Sequence, residues 1–286
     1  MRKLMVAALA AGFAIIAPSI ASARVSGVLT VGYEHSDINF SNNYCGECSY
    51  YGDETEQGPS LSAAVIAPLM GEDSNWVIQG EGRLQSEKED YNYGYRPHYN
   101  VGHAAVHIAY RNDSYAVGGF YAIQNDHGSD VQEIGVEAQK YFSNMTLQGS
   151  VAYGHHDRSC SGCGDDVDAW DAQAGLNYYI NDSWTAGVNV GYASWDYSYN
   201  GRTNLTTIGV NAEYRIPNTN YSVRAAYTHG DANSRYNDDY TSETVQVAFV
   251  VDFGSENARD RDQHGASFSG ADVLDQQWRL WEASVS

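Results

Sequence analysis

The sequence predicts an all-β fold: a transmembrane antiparallel up-and-down β-barrel of about twelve strands, followed by a C-terminal periplasmic tail. Three observations predict it. The first is strict period-two alternation, clearest over residues 169–194. There Trp170, Ala172, Ala174, Leu176, Tyr178 and Ile180 share one face, and Asp171, Gln173, Gly175, Asn177 and Tyr179 the other. After Asn181-Asp182-Ser183, Trp184, Ala186, Val188, Val190 and Tyr192 again alternate with Thr185, Gly187, Asn189 and Gly191. Successive side chains leave a strand on opposite sides, so this is a hairpin with one apolar and one polar face. The apolar face carries aromatics near its ends and small aliphatics in its middle, as lipid-facing strands do. A soluble sandwich would put its bulk in the middle, to fill a core.

The second observation is spacing. Strands of about 10–12 residues, the length a tilted membrane strand needs, are joined alternately by longer polar loops and short turns. The third is the beginning of the chain. Arg2 and Lys3, an apolar run over 5–17 and the small residues Ala21-Ser22-Ala23 read as a secretory signal peptide over 1–23. The expected organisation is therefore signal peptide 1–23, barrel 24–253 and tail 254–286. No later stretch approaches the roughly 20 apolar residues of a spanning helix.

Taken in order, each element rests on its own alternation. Strand 25–35 sets Val25, Gly27, Leu29, Val31 and Tyr33 outward, and 59–69 does so with Leu61, Ala63, Val65, Ala67 and Leu69. In 76–85, Trp76, Ile78 and Leu84 oppose Gln79, Glu81, Arg83 and Gln85. In 99–110, Ala104, Val106, Ile108 and Tyr110 oppose His103 and His107. Strand 115–124 follows a tight turn, and 132–142 sets Ile134, Val136, Ala138 and Phe142 against Glu133, Glu137, Gln139 and Tyr141. Strand 145–155 precedes the hairpin already described. Strand 203–215 turns Ile208, Val210, Ala212 and Tyr214 outward, 221–229 returns, and 243–253 closes with Val245, Val247, Phe249, Val251 and Phe253 on one face. Aromatics flank each short turn, forming an inner girdle. An even strand count puts both chain ends on the periplasmic side.

Here the sequence resembles Gram-negative outer-membrane porins. The residues that carry the resemblance are the opening strand Val25-Ser26-Gly27-Val28-Leu29-Thr30-Val31-Gly32-Tyr33 and the closing strand Val247-Ala248-Phe249-Val250-Val251-Asp252-Phe253. The latter is similar to the Phe-terminated strand that the barrel-insertion machinery reads. The resemblance covers 25–253 and is one of pattern. It implies the architecture, outer-membrane lipid and lipopolysaccharide as surroundings, and the insertion machinery as a partner, but no particular solute. Trimeric general porins fold a long third loop into the lumen, whereas the third loop here is short.

The chain continues past its terminal Phe. Residues 254 onward are rich in Asp, Arg, Gly and Ser, a composition that reads as disorder, and 271–283 has the spacing of a short amphipathic helix through Leu274, Trp278 and Trp281. Three readings are open: a tail resting at the membrane interface, a plug entering the barrel, or a helix that docks a periplasmic partner.

Formal net charge is −20 and mean hydropathy −0.47. Low hydropathy is compatible with a barrel, because only alternate strand residues meet lipid. The acidic balance argues against nucleic acid as a partner. It suits either a solvated, divalent-cation-binding outer surface or a field that draws cations into a pore.

The inward-facing charged set is Glu81, Arg83, His103, His107, Glu133, Glu137, Asp171, Glu213, Arg215 and Arg224. Lining a pore, these groups would narrow it and set its field; pairing with one another, they would close it. A twelve-stranded barrel is roughly 24 Å across its backbone, from about 4.8 Å per strand and a 40° tilt. Cys45, Cys48, Cys160 and Cys163 fall in the first and fourth loops, where export keeps them oxidised. They form two local bridges or bridges between loops; a zinc site has suitable spacing but the wrong compartment. His35, His127, His155, His156 and His229 lie at the outer strand ends near Asp37, Asp126, Asp157 and Asp231. That rim is read as hydrated bases, a transition-metal site or the acid–base pair of a barrel hydrolase. No Ser, His and acid share a spacing that singles out a catalytic set, so no enzyme activity, cofactor or metal is expected. The functional expectation is a passive channel for ions or small polar solutes, biased toward cations. The alternative is a structural or surface-interaction barrel with a closed lumen.

Overall fold

A computed structural model describes residues 25–41, 54–71, 73–91, 98–126, 129–157, 167–197, 201–234 and 239–270. The strands are β1 (Ser26–Ser41), β2 (Glu54–Pro68), β3 (Trp76–Tyr91), β4 (His98–Arg111), β5 (Tyr115–Asp126), β6 (Ser129–Tyr141), β7 (Met145–Asp157), β8 (Val167–Tyr179), β9 (Trp184–Tyr197), β10 (Gly201–Arg215), β11 (Tyr221–Ser234) and β12 (Asp239–Phe253). Each pairs antiparallel with its neighbours in sequence, and β1 closes on β12 from Gly27↔Phe253 to Ser41↔Asp239. Closure leaves no sheet edge, which is what a hydrocarbon environment demands of backbone donors and acceptors. The protein is a twelve-stranded up-and-down β-barrel.

The strands tilt. The register line Gln79↔His107↔Phe120↔Gly135↔Ala152↔Asp171↔Ala193↔Leu205↔Ala232↔Tyr240 starts near the turn end of β3 and finishes near the loop end of β12. Closing a sheet into a barrel requires such a stagger.

Most strands run further toward the loop end than alternation of apolar residues predicts. Strand β1 continues to Ser41 instead of stopping at 35, β3 to Tyr91 instead of 85, and β11 to Ser234 instead of 229. These extensions are polar on the outer face, so hydropathy reads them as loop, whereas backbone pairing continues through them. The short turns are built by side chains. Asn112 Oδ1 accepts from the Ser114 and Tyr115 amides, and Asn181 Oδ1 from those of Ser183 and Trp184. Asparagine makes a turn in this way without a glycine.

Outward positions are apolar and exposed: Val31, Leu84, Ile134, Val136, Val188, Ile208 and Val247 among them. Two aromatic belts flank this band. At the turn end, Trp76 meets Tyr110 edge-on and Trp184 lies 4.8 Å from Tyr214. At the loop end, the hydroxyls of Tyr33, Tyr121 and Tyr192 donate to Gln57, Gln132 and Asn204 on the adjacent strand. Trp184 and Tyr192 are eight residues apart on β9, or roughly 20 Å along the barrel axis at about 3.3 Å per tilted residue. That matches a lipid-facing band.

Inside, the loop end holds an apolar cluster of Ile38, Val131, Ala169, Ala193, Trp195, Leu205, Ala232 and Tyr240. Ile38 lies in the segment predicted to be first loop, and Trp195 in the predicted fifth. Their neighbours Asp37, Asn39, Ser194 and Asp196 are polar, which hides two inward apolar residues from a hydropathy reading.

The expectation of disorder from residue 254 does not hold for 254–270. Gly254 takes a positive φ of 76°, and a Cβ there would lie 2.7 Å from the Val25 carbonyl oxygen. The chain reverses at this glycine and re-enters the barrel from the turn end. Helix α1 (Ala258–His264) follows, capped by the Asn257 side chain on the Asp260 amide and ended at Gly265. Residues 265–270 then run on without regular structure. Ala258, Arg261, Asp262, Ala266 and Phe268 are all buried. The predicted signal peptide 1–23, the four cysteines, His127 and the predicted helix 271–283 lie outside the described residues.

Candidate functional site: the lumen and its C-terminal segment

The lumen wall carries three polar networks at successive heights. Toward the loop end, Arg83 Nη2 donates to Glu34 at 3.2 Å and to Gln85, while Gln85 and Gln246 also donate to Glu34. At mid-height, His107 is fully buried between two glutamates, with Nδ1 2.7 Å from Glu137 and Nε2 3.5 Å from Glu81. Gln79 donates to Glu81 at 3.0 Å. At the turn end, Glu213 is bound by Arg224 and by Arg261 of the tail, and Asp252 by Arg215 and the same Arg261. Charges paired and hydrogen-bonded in this way can persist away from bulk water.

The ten predicted lumen residues all lie on this inward, low-exposure side. Seven fall in the three networks: Arg83 in the upper one, Glu81, His107 and Glu137 in the central one, and Glu213, Arg215 and Arg224 in the lower one. His103, Glu133 and Asp171 are buried outside them. Both carboxylate oxygens of Asp171, and Nε2 of His103, have no hydrogen-bond partner among the described residues.

The tail engages the wall at every level it reaches. Arg261 Nη1 and Nη2 each sit 2.9 Å from one oxygen of Glu213. Asp262 accepts from Asn177 and from the Tyr179 hydroxyl. Gln263 and Arg259 donate to the carbonyls of Phe142 and Ser143 at the β6–β7 turn. Phe268 stacks on His107 at 5.9 Å, with the Arg111 guanidinium 4.4 Å from its ring centroid. Aromatic stacking and cation–π contact hold the same ring from two directions.

Sequence reasoning missed half of this site. Arg111, one residue past the predicted strand 99–110, is the last residue of β4 and faces the tail. In the sequence Asp252 reads only as part of the closing strand, and Arg261, Asp262 and Phe268 only as part of a polar tail. The available signal was charge. Glu213, Asp252, Arg215 and Arg224 concentrate inward at one end of the barrel, and a tail of alternating Arg and Asp is the complement to such a wall.

The rim histidines pair differently from expected. His155 bonds Asp168 at 2.7 Å and His229 bonds Glu243 at 2.9 Å, both ladder partners on the adjacent strand, and Asp231 is not the partner of His229. His35 does lie near Asp37, at 3.5 Å. The nearest acid to a strand residue is the one across the ladder on the same face. Among the described residues, no three His, Cys, Asp or Glu side chains converge as a metal site.

Solved structures share this fold. An outer membrane channel from Pseudomonas putida F1 superposes with a TM-score of 0.59 at 10% identity, covering 80% of this chain and 95% of that one. The fold is that of an outer-membrane β-barrel. The translocator domain of the autotransporter NalP from Neisseria meningitidis aligns at a TM-score of 0.53 and 13% identity, covering 88% of this chain and 98% of that domain. The β domain of the Bordetella autotransporter BrkA aligns at 0.51 and 11%, covering 80% and 100%. No family model matches the sequence, and no curated protein matches it. At these identities the likeness is one of fold, so what distinguishes this outer-membrane barrel is its own lumen and the segment lodged there.

Proposed function

We propose that the protein is an outer-membrane channel for passive diffusion of ions or small polar solutes, held shut from the periplasmic side by its own C-terminal segment. The observation that carries this reading is residues 258–270 seated inside the barrel on the Arg261–Glu213–Asp252 cluster. The lumen left beside the segment is polar, lined by Gln148, Ser150, Gln173 and Asn189. The acidic balance of the chain supports a bias toward cations. The channel named among the similar structures supports transport as the general role. Oxidised loop cysteines, a cleaved signal peptide and contact with lipopolysaccharide belong to the same reading.

The test is conductance of the purified full chain in a planar bilayer. The expected result is a mostly closed channel with brief openings, longer when Arg261 is replaced. Folded protein that never conducts, with or without Arg261, would sink the proposal. That outcome would favour the second reading, a closed surface-interaction barrel. The apolar cluster around Trp195 and Leu205 inside the outer end is the observation on its side.

A further inference from the structure

The manner in which the wall holds residues 265–270 identifies a class of ligand. Arg111 Nη1 donates to the Gly265 carbonyl at 2.6 Å, and Gln139 Nε2 to the Ser267 carbonyl at 3.0 Å. Gln79 grips Phe268 twice through the backbone: its Oε1 accepts from the amide at 3.1 Å and its Nε2 donates to the carbonyl at 2.7 Å. Gln173 donates to the carbonyls of Ser269 and Gly270 at 3.1 and 3.3 Å, and Glu137 accepts from the Gly270 amide at 3.2 Å. Five wall side chains on β3, β4, β6 and β8 thus bind main-chain atoms. The segment itself is Gly-Ala-Ser-Phe-Ser-Gly, and apart from Phe268 and the Ser267 hydroxyl, which accepts from Arg111 at 2.9 Å and donates to Gln139 at 3.3 Å, it offers little side chain to read. Its end is fitted closely, since a Cβ on Gly270 would lie 2.7 Å from Phe120 and 2.9 Å from Glu137. Beyond it, the cleft beside Ser269 and Gly270 is lined by Gln148 and Asn189. Their amides make no side-chain hydrogen bond among the described residues.

A carboxamide presents one donor and one acceptor side by side, the complement of a peptide unit. A row of them binds backbone whatever the side chains, as strand addition does at a sheet edge. We propose that this side of the lumen is a receptor for the main chain of an extended, small-residue polypeptide. Residues 265–270 are its resident ligand, and a peptide supplied separately can exchange for them. The proposal rests on the reading of the tail as a plug.

The test uses the full chain with a protease site introduced in the bend at 254–256, folded whole and cut afterwards. The probe is a fluorescent synthetic peptide of residues 255–270, followed by anisotropy in detergent, with conductance recorded in parallel. The expected result is exchange of the peptide into cut but not uncut barrels. A peptide N-methylated at Phe268, which lacks the amide proton that Gln79 receives, should bind at least tenfold more weakly. A peptide with Ala266 and Ser269 replaced by other small residues, Ser267 being kept, should bind within tenfold of the original. Equal binding of the N-methyl peptide, loss of binding with the small-residue replacements, or failure of any peptide to enter a cut barrel would each overturn the proposal. Peptide binding without conductance would instead reject the channel and leave the receptor standing.

Discussion

Arg261 meets Glu213 as a two-pronged pair: Nη1 lies 2.9 Å from Oε1 and Nη2 2.9 Å from Oε2, both residues being buried. A guanidinium and a carboxylate joined in parallel fix orientation as well as charge, so this contact ties α1 to β10. Asp252 extends the arrangement to β12, the closing strand, from which the tail itself departs.

The first prediction follows from that pair. Arg261→Gln keeps length and polarity but removes the charge and the fork. Breaking a buried ion pair from one side typically costs about 3–5 kcal/mol. Arg224 and Arg215 still serve Glu213 and Asp252 here, so the loss should be closer to ~2 kcal/mol, a roughly 30-fold rise in the undocked tail. Trypsin cleavage after Arg259 reads that population directly, and channel open time should rise with it. Unchanged cleavage would mean that the Phe268 contacts, not the ion pairs, seat the segment.

The second prediction separates gate from constriction. Trp195 is fully buried in the apolar cluster at the outer end, a cluster that includes none of residues 258–270. Trp195→Ala should leave open time unaltered while raising the conductance of each opening. Deleting a buried Trp side chain costs about 3–5 kcal/mol, so heat-modifiable migration must first show that the barrel is intact. An effect on open time alone would place Trp195 in the gate.

The architecture was legible in the sequence because alternation is enforced twice, by lipid outside and water inside. Leu176 and Asn177 cannot exchange faces without reversing a whole strand. The interior was legible only as a set of inward positions. His107 and Glu137 could be placed on the wall, but their meeting at 2.7 Å depends on the stagger of β4 against β6. The tail was hidden for another reason. Residues 254–270 carry few apolar side chains, and their order comes from partners far away in sequence: Ile66, Ala109 and Tyr141 around Ala266 and Phe268, and Glu213, Gln79 and Gln173 for the polar groups. Composition measures what a segment can bury by itself, so it reports such a stretch as unstructured.

The third prediction concerns the belt. Trp184 and Tyr214 lie 4.8 Å apart across β9 and β10, at the first residue of one strand and near the last of the other. An aromatic pair of this kind contributes about 0.5–1.5 kcal/mol beyond its buried area. Trp184→Ala should lower the unfolding midpoint in urea with lipid vesicles present, with selectivity and open time unchanged. Tyr214→Ala should cost less once Trp184 is gone, and fully additive losses in the double variant would show that the rings act separately.

The fourth prediction tests the cation bias. The upper lumen holds the buried acids Glu34, Glu54, Glu56, Glu87, Glu133 and Asp171, with Arg83 and His103 among its basic groups. Arg83 is bound to Glu34, so that pair is locally neutral. Glu133 on β6 and Asp171 on β8 are two of the acids in the wall that a passing ion must cross. The two are related through the register Glu133↔Gly154 and Ala152↔Asp171, which sets them near one height of the tilted wall. In a narrow lumen of low effective dielectric, each acid that ionises contributes to selectivity, since charge–charge energies there exceed those in water several-fold. Reversal potential across a tenfold potassium chloride gradient should show cation preference in the Arg261→Gln background, where openings are long enough to measure. Adding Glu133→Gln and Asp171→Asn should move the reversal potential toward zero, whereas neutralising the exposed Asp37 at the rim should not. Anion preference, or a shift produced by the rim substitution alone, would place the selectivity in the outer surface and leave the lumen wall without that role.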